Sequence, residues 1–362
     1  MRCWALLAGM SAIPITSNEA RPAPSTGLAV LTAALPLVFL VLACPLSMIA
    51  LPNGNLPSAI QEAGITVWLV LAASLVAVVA LGVLLALSAK GKRVPAVLAL
   101  GFAALPWLCG LLGALWGRSR ADAAIANADP AVRATMMARG IAEATTNSFF
   151  GAALSCALLA AVGLALAIAA LAQRAPKRGG VGALLGTGAM LPLLALALWA
   201  TTAVHITGAL ELLLAALGAV LAAAIGGFAT GADVPHGRSG ALGAAACVAS
   251  GLAVVAGASL AAASSTMDVF GALAFADPGS RAELLAVAGS ELRPLAIASF
   301  FALPLALIPS ALVAGLAALR VRPTAGKIAG AFGLVVLAAA VVAADAIVRG
   351  RAGALLMSAV SS

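Results

Sequence analysis

Long apolar runs separated by short polar connectors set the pattern of this chain. The runs fall at about 27–51, 64–89, 94–116, 147–172, 180–203, 207–230, 238–265, 293–319 and 324–348. Crossing roughly 30 Å of hydrocarbon as a helix takes about 20 residues, and each run is long enough. The runs are rich in Ala, Leu and Gly. They lack the period-two alternation that lets a membrane strand face lipid on one side only. Hydrocarbon offers no partner to backbone N–H and C=O groups, so helices that satisfy them internally are predicted. The expected fold class is all-α, a polytopic transmembrane helical bundle of about nine spans.

The connectors set an orientation. Lys90, Lys92, Arg93, Arg174, Lys177, Arg178, Arg238, Arg320, Arg322 and Lys327 collect in alternate connectors, with Asp233 the acid among them. The connectors 117–146 and 266–292 instead mix Arg with Asp and Glu. Basic loops stay on the cytoplasmic side, which places the N-terminus there and the mixed connectors and C-terminus outside. A multi-pass protein of the bacterial cytoplasmic (inner) membrane is expected. Residues 1–26 open with Met1-Arg2 and an apolar stretch, Cys3 to Ile15, that resembles a short signal sequence. No clear small-residue cleavage site precedes the polar stretch 16–26, so an uncleaved tail fits equally well. The parity of the basic connectors favours the tail.

Composition narrows the function classes. The 362 residues are 64% hydrophobic and 9% charged, too little polar surface for a soluble domain. The net charge of +8 resides in connectors, and no basic stripe with interleaved aromatics points to nucleic acid. Cys3, Cys44, Cys109, Cys156 and Cys247 are scattered through apolar sequence, as small packing residues would be. With only His205 and His236, no metal-ligand spacing and no phosphate-binding loop, no enzyme activity, metal or cofactor is expected.

Polar signatures recur. Ala128-Asp129-Pro130-Ala131-Val132-Arg133-Ala134 matches Ala276-Asp277-Pro278-Gly279-Ser280-Arg281-Ala282, and Asn147-Ser148-Phe149-Phe150-Gly151 matches Ala298-Ser299-Phe300-Phe301-Ala302. Two parallel four-span repeats are expected, at 27–172 and 173–319, followed by an extra span and tail at 320–362. Each Asp-Pro pair suits a helix start, Asp as cap and Pro in the first turn. That helix is expected to run directly into the next span.

The chemistry concentrates between Leu105 and Leu158. One apolar helix ends on Pro106-Trp107-Leu108-Cys109-Gly110-Leu111-Leu112-Gly113-Ala114-Leu115-Trp116-Gly117, and Gly140-Ile141-Ala142-Glu143-Ala144 leads into the next. Together these boxes resemble the MotA/TolQ/ExbB proton-channel family, over residues 94–172 in particular. Its members end one helix on Gly-Leu-x-Gly-Thr-Val-Trp-Gly and open the next with Gly-Ile-Ala-Glu-Ala-Leu-x-x-Thr-Ala-x-Gly-Leu. Gly110, Leu111, Gly113, Trp116 and Gly117 match the first pattern, and Gly140 to Ala144 with Gly151 match the second. The resemblance implies a ring-forming homo-oligomer around a single-span ExbD/TolR/MotB-like partner whose intramembrane Asp takes the proton. It also implies a proton route past ring-helix hydroxyls. The first pattern's Thr falls on Ala114 and the second on Ser148, with Ser299 the counterpart in the second copy. The family's large cytoplasmic domain is replaced by Lys90 to Arg93.

The candidate proton pathway is Ser148, Thr146, Glu143 and Ser299, together with Glu211. Glu211 is included because an acid inside a span is a functional hypothesis by default. Asp345 has Arg349 at i+4 and reads as an interfacial pair, and Glu143 has Arg139 one turn before it. Packing explains the same region differently. Gly110, Gly113, Ala114, Trp116, Gly117, Gly151, Ala152 and Ser155 are candidates for close helix contact, because small residues at helical spacing let membrane helices approach. A secondary transporter built from parallel repeats and a non-conducting structural relative are the alternative functions.

Overall fold

The structure is a computed structural model that describes residues 26–50, 56–90, 96–126, 128–173 and 238–277, together with 279–281, 283–284 and 286–287. The predicted spans at 180–203, 207–230, 293–319 and 324–348, and with them Glu211, Ser299 and Asp345, lie outside the described residues. Every element described is a helix: α1 Thr26–Ala50, α2 Leu56–Ala63, α3 Ile65–Ala89, α4 Ala96–Ala126, α5 Pro130–Gln173 and α6 Arg238–Phe275. All except α2 are long and apolar enough to cross a membrane, which marks the chain as membrane-embedded.

Helices α1 and α3 cover nearly the same residues as the first two apolar runs. The other three run further than their apolar cores. Helix α4 continues ten residues past Trp116 to Ala126, α5 begins at Pro130, and α6 ends at Phe275. The connector 117–146 is therefore largely helical, and so is the next over residues 266–275. Charged residues end an apolar run without ending a helix, because outside hydrocarbon they sit on a helix surface at little cost.

One tight turn links α4 to α5. The Ala128 N–H donates to Ile125 O at 3.0 Å, and Val132 and Arg133 N–H groups donate to Asp129 O at 3.0 and 3.2 Å. Pro130 takes the first helical position, where its missing N–H costs nothing. Arg133 Nε closes the turn on Ala128 O at 3.0 Å. The turn after α6 is built the same way. Ala276 N–H donates to Leu273 O at 3.4 Å, Ser280 N–H to Asp277 O at 3.0 Å, and Arg281 Nε to Ala276 O at 3.2 Å. Arg281 also reaches across to donate to Thr135 Oγ1 on α5.

Helix α5 is the hub, contacted by each of the other helices. Its most extensive partner is α6, which runs antiparallel to it. Ile141 shares a buried cluster with Phe270, the Cys156 thiol donates to Ala253 O at 3.3 Å, and the Cβ position of Gly163 meets Ser250 Oγ at 3.0 Å. In an 18-residue apolar stretch of α6, 89% of the residues are buried inside the protein, against 22% in that of α1, so α6 lies inside the bundle and α1 on its rim. Leu81, Leu85, Leu158, Leu159, Val162 and Val254 fill the main core.

The corner between α2 and α3 depends on Gly64. Its φ of 68° and ψ of −154° lie where an L side chain is strained, and its N–H donates to Gln61 O at 3.2 Å. Gly64→Ala is expected to cost about 1–3 kcal/mol through backbone strain alone. Gly101→Ala, whose added Cβ meets nothing within 4 Å, should leave stability unchanged or raise it slightly. Thermal unfolding of both variants in the same detergent measures the contrast.

Candidate functional site

Small residues recur every three or four positions along the facing sides of α4 and α5. Gly110, Gly113, Gly117 and Ala121 stand on one helix, and Gly140, Ala144, Asn147 and Gly151 on the other. The helices cross where Gly110 meets Gly151. A Cβ added to Gly110 would lie 2.5 Å from Asn147 O and 2.9 Å from Gly151 Cα. One added to Gly151 would lie 2.7 Å from Pro106 O and 2.9 Å from Gly110 Cα. Backbone is the obstacle there, so no side chain can swing aside. Away from the crossing the contacts ease. A Cβ added to Gly113 would lie 3.2 Å from Asn147 Cβ and Thr66 Cβ, and one added to Gly117 would lie 3.3 Å from Ala144 Cβ. At Gly140 the seam tightens again, where an added Cβ would lie 2.6 Å from Ala121 Cβ.

Ala114, Ala152 and Ser155 are buried along this contact. Pro106 interrupts the hydrogen-bond ladder of α4, and the next N–H, that of Trp107, donates to Ser155 Oγ at 2.9 Å. Ser155 thus gives a partner to an N–H beside the proline of its neighbouring helix. Trp116 departs from the packing role assigned to it by sequence spacing. It is 56% exposed, because at about 100° per residue it is turned off the face that carries Gly113 and Gly117. Trp107 is the buried indole of α4.

One residue assigned no role by the sequence pattern sits one turn from this crossing and ties the α2–α3 corner to the seam. Asn147 is 1% exposed, its Nδ2 donates to Ala63 O at 3.2 Å, and its Oδ1 lies 2.9 Å from Thr66 Oγ1. The Thr66 hydroxyl also lies 3.1 Å from Ala63 O, and its single proton serves one of the two acceptors. Ala63 ends α2, so its carbonyl has no acceptor role within that helix. Asn147 and Thr66 therefore stitch the α2–α3 corner onto α5. An amide in the first turn of an apolar run was the available signal.

The hydroxyls of the candidate pathway are turned towards their own helices. Thr146 Oγ1 donates to Ala142 O at 3.0 Å, Ser148 Oγ to Thr145 O at 3.0 Å, and Thr145 Oγ1 to Ile141 O at 2.7 Å. Thr146 and Ser148 are buried. On α6, Ser265 Oγ donates to Ala261 O at 3.0 Å and Thr266 Oγ1 to Ala262 O at 2.6 Å. Phe149 and Phe150 share a buried cluster with Ala263 and Met267, which puts these two polar stretches at similar depth. Asp268 follows one half-turn later, half-buried, on a helix that sequence reading ended at residue 265. Glu143 is bound to Arg139, Nε to Oε1 at 2.8 Å, with side chains 38% and 71% exposed respectively. A pair so exposed contributes about 0–1 kcal/mol. Among the described residues no group of His, Cys, Asp or Glu could hold a metal ion.

Comparison with protein-family models, with curated proteins and with solved structures finds no match.

Three outcomes follow from this geometry. Gly151→Ala should lower the thermal unfolding midpoint more than Gly113→Ala, since the first pushes on backbone and the second on side chains. Asn147→Ala should cost about 1–3 kcal/mol by removing the two side-chain hydrogen bonds that tie the α2–α3 corner to α5. A double-mutant cycle with Thr66→Ala should show a coupling, and strict additivity would mean that the two side chains act independently.

Proposed function

We propose that the chain is an integral membrane subunit of a proton-conducting or motor-like assembly, similar to MotA/TolQ/ExbB proteins. One observation carries the reading. Gly110, Gly113, Gly117, Gly140 and Gly151, the glycines that carry the resemblance, all have their Cβ positions obstructed along the α4–α5 seam. A shared pair of boxes is then a shared helical hairpin. In this reading the hairpin is a rigid wall of the conduction route, and Ser148 and Thr146 stand beside an acid supplied by a single-span partner. Glu143, paired with Arg139 and half-exposed, lies at the mouth of the route. The alike turns at Ala128–Arg133 and Ala276–Arg281 support a duplicated unit. The basic connectors support a cytoplasmic N-terminus in a bacterial inner membrane.

A non-conducting structural relative is the second reading. It is favoured by the donation of the Thr145, Thr146 and Ser148 protons to their own helix and by the methyl of Ala114 where a hydroxyl would serve a relay. Proton flux into vesicles holding the chain with its co-purified partner separates the two. Conduction predicts measurable flux that falls about a hundredfold in Ser148→Ala, the low end of what a positioned proton-transfer group contributes. Absence of flux in wild type and variant alike, with the complex intact, establishes the structural role.

A further inference from the structure

Helix lengths and surface chemistry fix where the bilayer ends. Helix α3 has 25 residues, about 37 Å at 1.5 Å per residue, a length that suits one crossing. The apolar stretch of α5 is 39 residues, about 58 Å, nearly twice the hydrocarbon thickness. The excess lies at one end. Where α3 begins, Thr66 touches the level of Gly113 and Asn147. From Gly113, α4 continues to Ala126, and α5 begins at Pro130, well before Asn147.

Two exposed indoles stand at this level. Trp68 is 62% exposed on α3, and Trp116 is the outward-facing indole of α4, one turn beyond Gly113. Indoles with one apolar and one polar edge settle at the headgroup zone. Surface chemistry changes across them. Before them the outward residues are Leu75, Val76, Val79 and Val83 on α3 and Leu98 and Leu112 on α4. Beyond them the exposed residues include Ser119, Arg120, Asp122, Arg133 and the Arg139–Glu143 pair. Val132, Met136 and Phe275 are exposed there too, as scattered apolar residues are on any water-facing surface. The protruding segment has its own small core, Ala138, Ile141, Phe270 and Leu273.

We infer that the headgroup boundary of one leaflet passes through Trp68 and Trp116. The outward faces of α1, α3 and α4 on the apolar side of that line bind lipid acyl chains. On the other side α4, α5 and α6 leave the membrane together as a helical stalk standing about 15 Å into water, ten residues of α4 at 1.5 Å each.

The full chain in phosphatidylcholine vesicles tests this. Single cysteines are introduced by Arg120→Cys, Ala123→Cys, Val76→Cys or Leu112→Cys after replacing the native cysteines with Ala. A charged maleimide is loaded on both sides by freeze–thaw. The inference expects near-complete labelling at 120 and 123, and at least tenfold slower labelling at 76 and 112. Protection at 120 and 123 equal to that at 76 would overturn it. A second measurement keeps the native cysteines: quenching by lipids brominated at different depths, compared between wild type and Trp68→Phe/Trp116→Phe. The fluorescence lost in the variant should be that quenched best by bromine nearest the headgroup. Strongest quenching of that component by bromine near the chain ends also overturns the boundary.

Discussion

The contact on which the other features depend is the backbone crossing of α4 and α5 at Gly110 and Gly151. In lipid no hydrophobic force draws helices together, since acyl chains are as apolar as leucine. Attraction must come from dispersion over closely fitted surfaces and from hydrogen bonds between helices. Glycine at both crossing positions allows the first. It also sets the second. One turn to one side, Ser155 reaches the N–H freed beside Pro106. One turn to the other, Asn147 reaches the α2–α3 corner. A wider crossing would strand both polar groups in an apolar core.

Polar atoms elsewhere in the bundle follow a simpler rule. A hydroxyl on a buried helix finds its nearest acceptor one turn back on the same helix, and Ser74, Ser250, Thr32 and Thr266 all use it. Such bonds keep polar side chains tolerable at depth without linking helices together. Links between helices among the described residues include an amide at Asn147, a hydroxyl at Ser155, a thiol at Cys156 and a guanidinium at Arg281. Each of these reaches out from or ends on α5. Its central place in the bundle is thus reinforced by specific polar ties as well as by packing.

Much of this was legible in the sequence. Apolar runs marked α1 and α3 closely, and Asp129-Pro130 marked the start of a helix that continues without a break through the span beyond it. Helix ends were less legible at α4, α5 and α6, because charged residues signal where hydrocarbon stops and say nothing about where the backbone stops being helical. Asn147 was passed over for a different reason. Its importance comes from a carbonyl on α2, a partner 84 positions away, and no local pattern records that meeting. Trp116 shows the limit of matching by pattern, since a shared letter in a motif does not say which way the side chain turns.

The contrast between α4 and α5 has a mechanical consequence. Helix α4 carries Pro106 in its interior, a point where the ladder is interrupted and bending is easy. Helix α5 has no proline after its first residue and runs 44 residues unbroken. It is therefore a stiff rod clamped at mid-length against a jointed neighbour. Bending of the hairpin is expected at Pro106 of α4 rather than within α5.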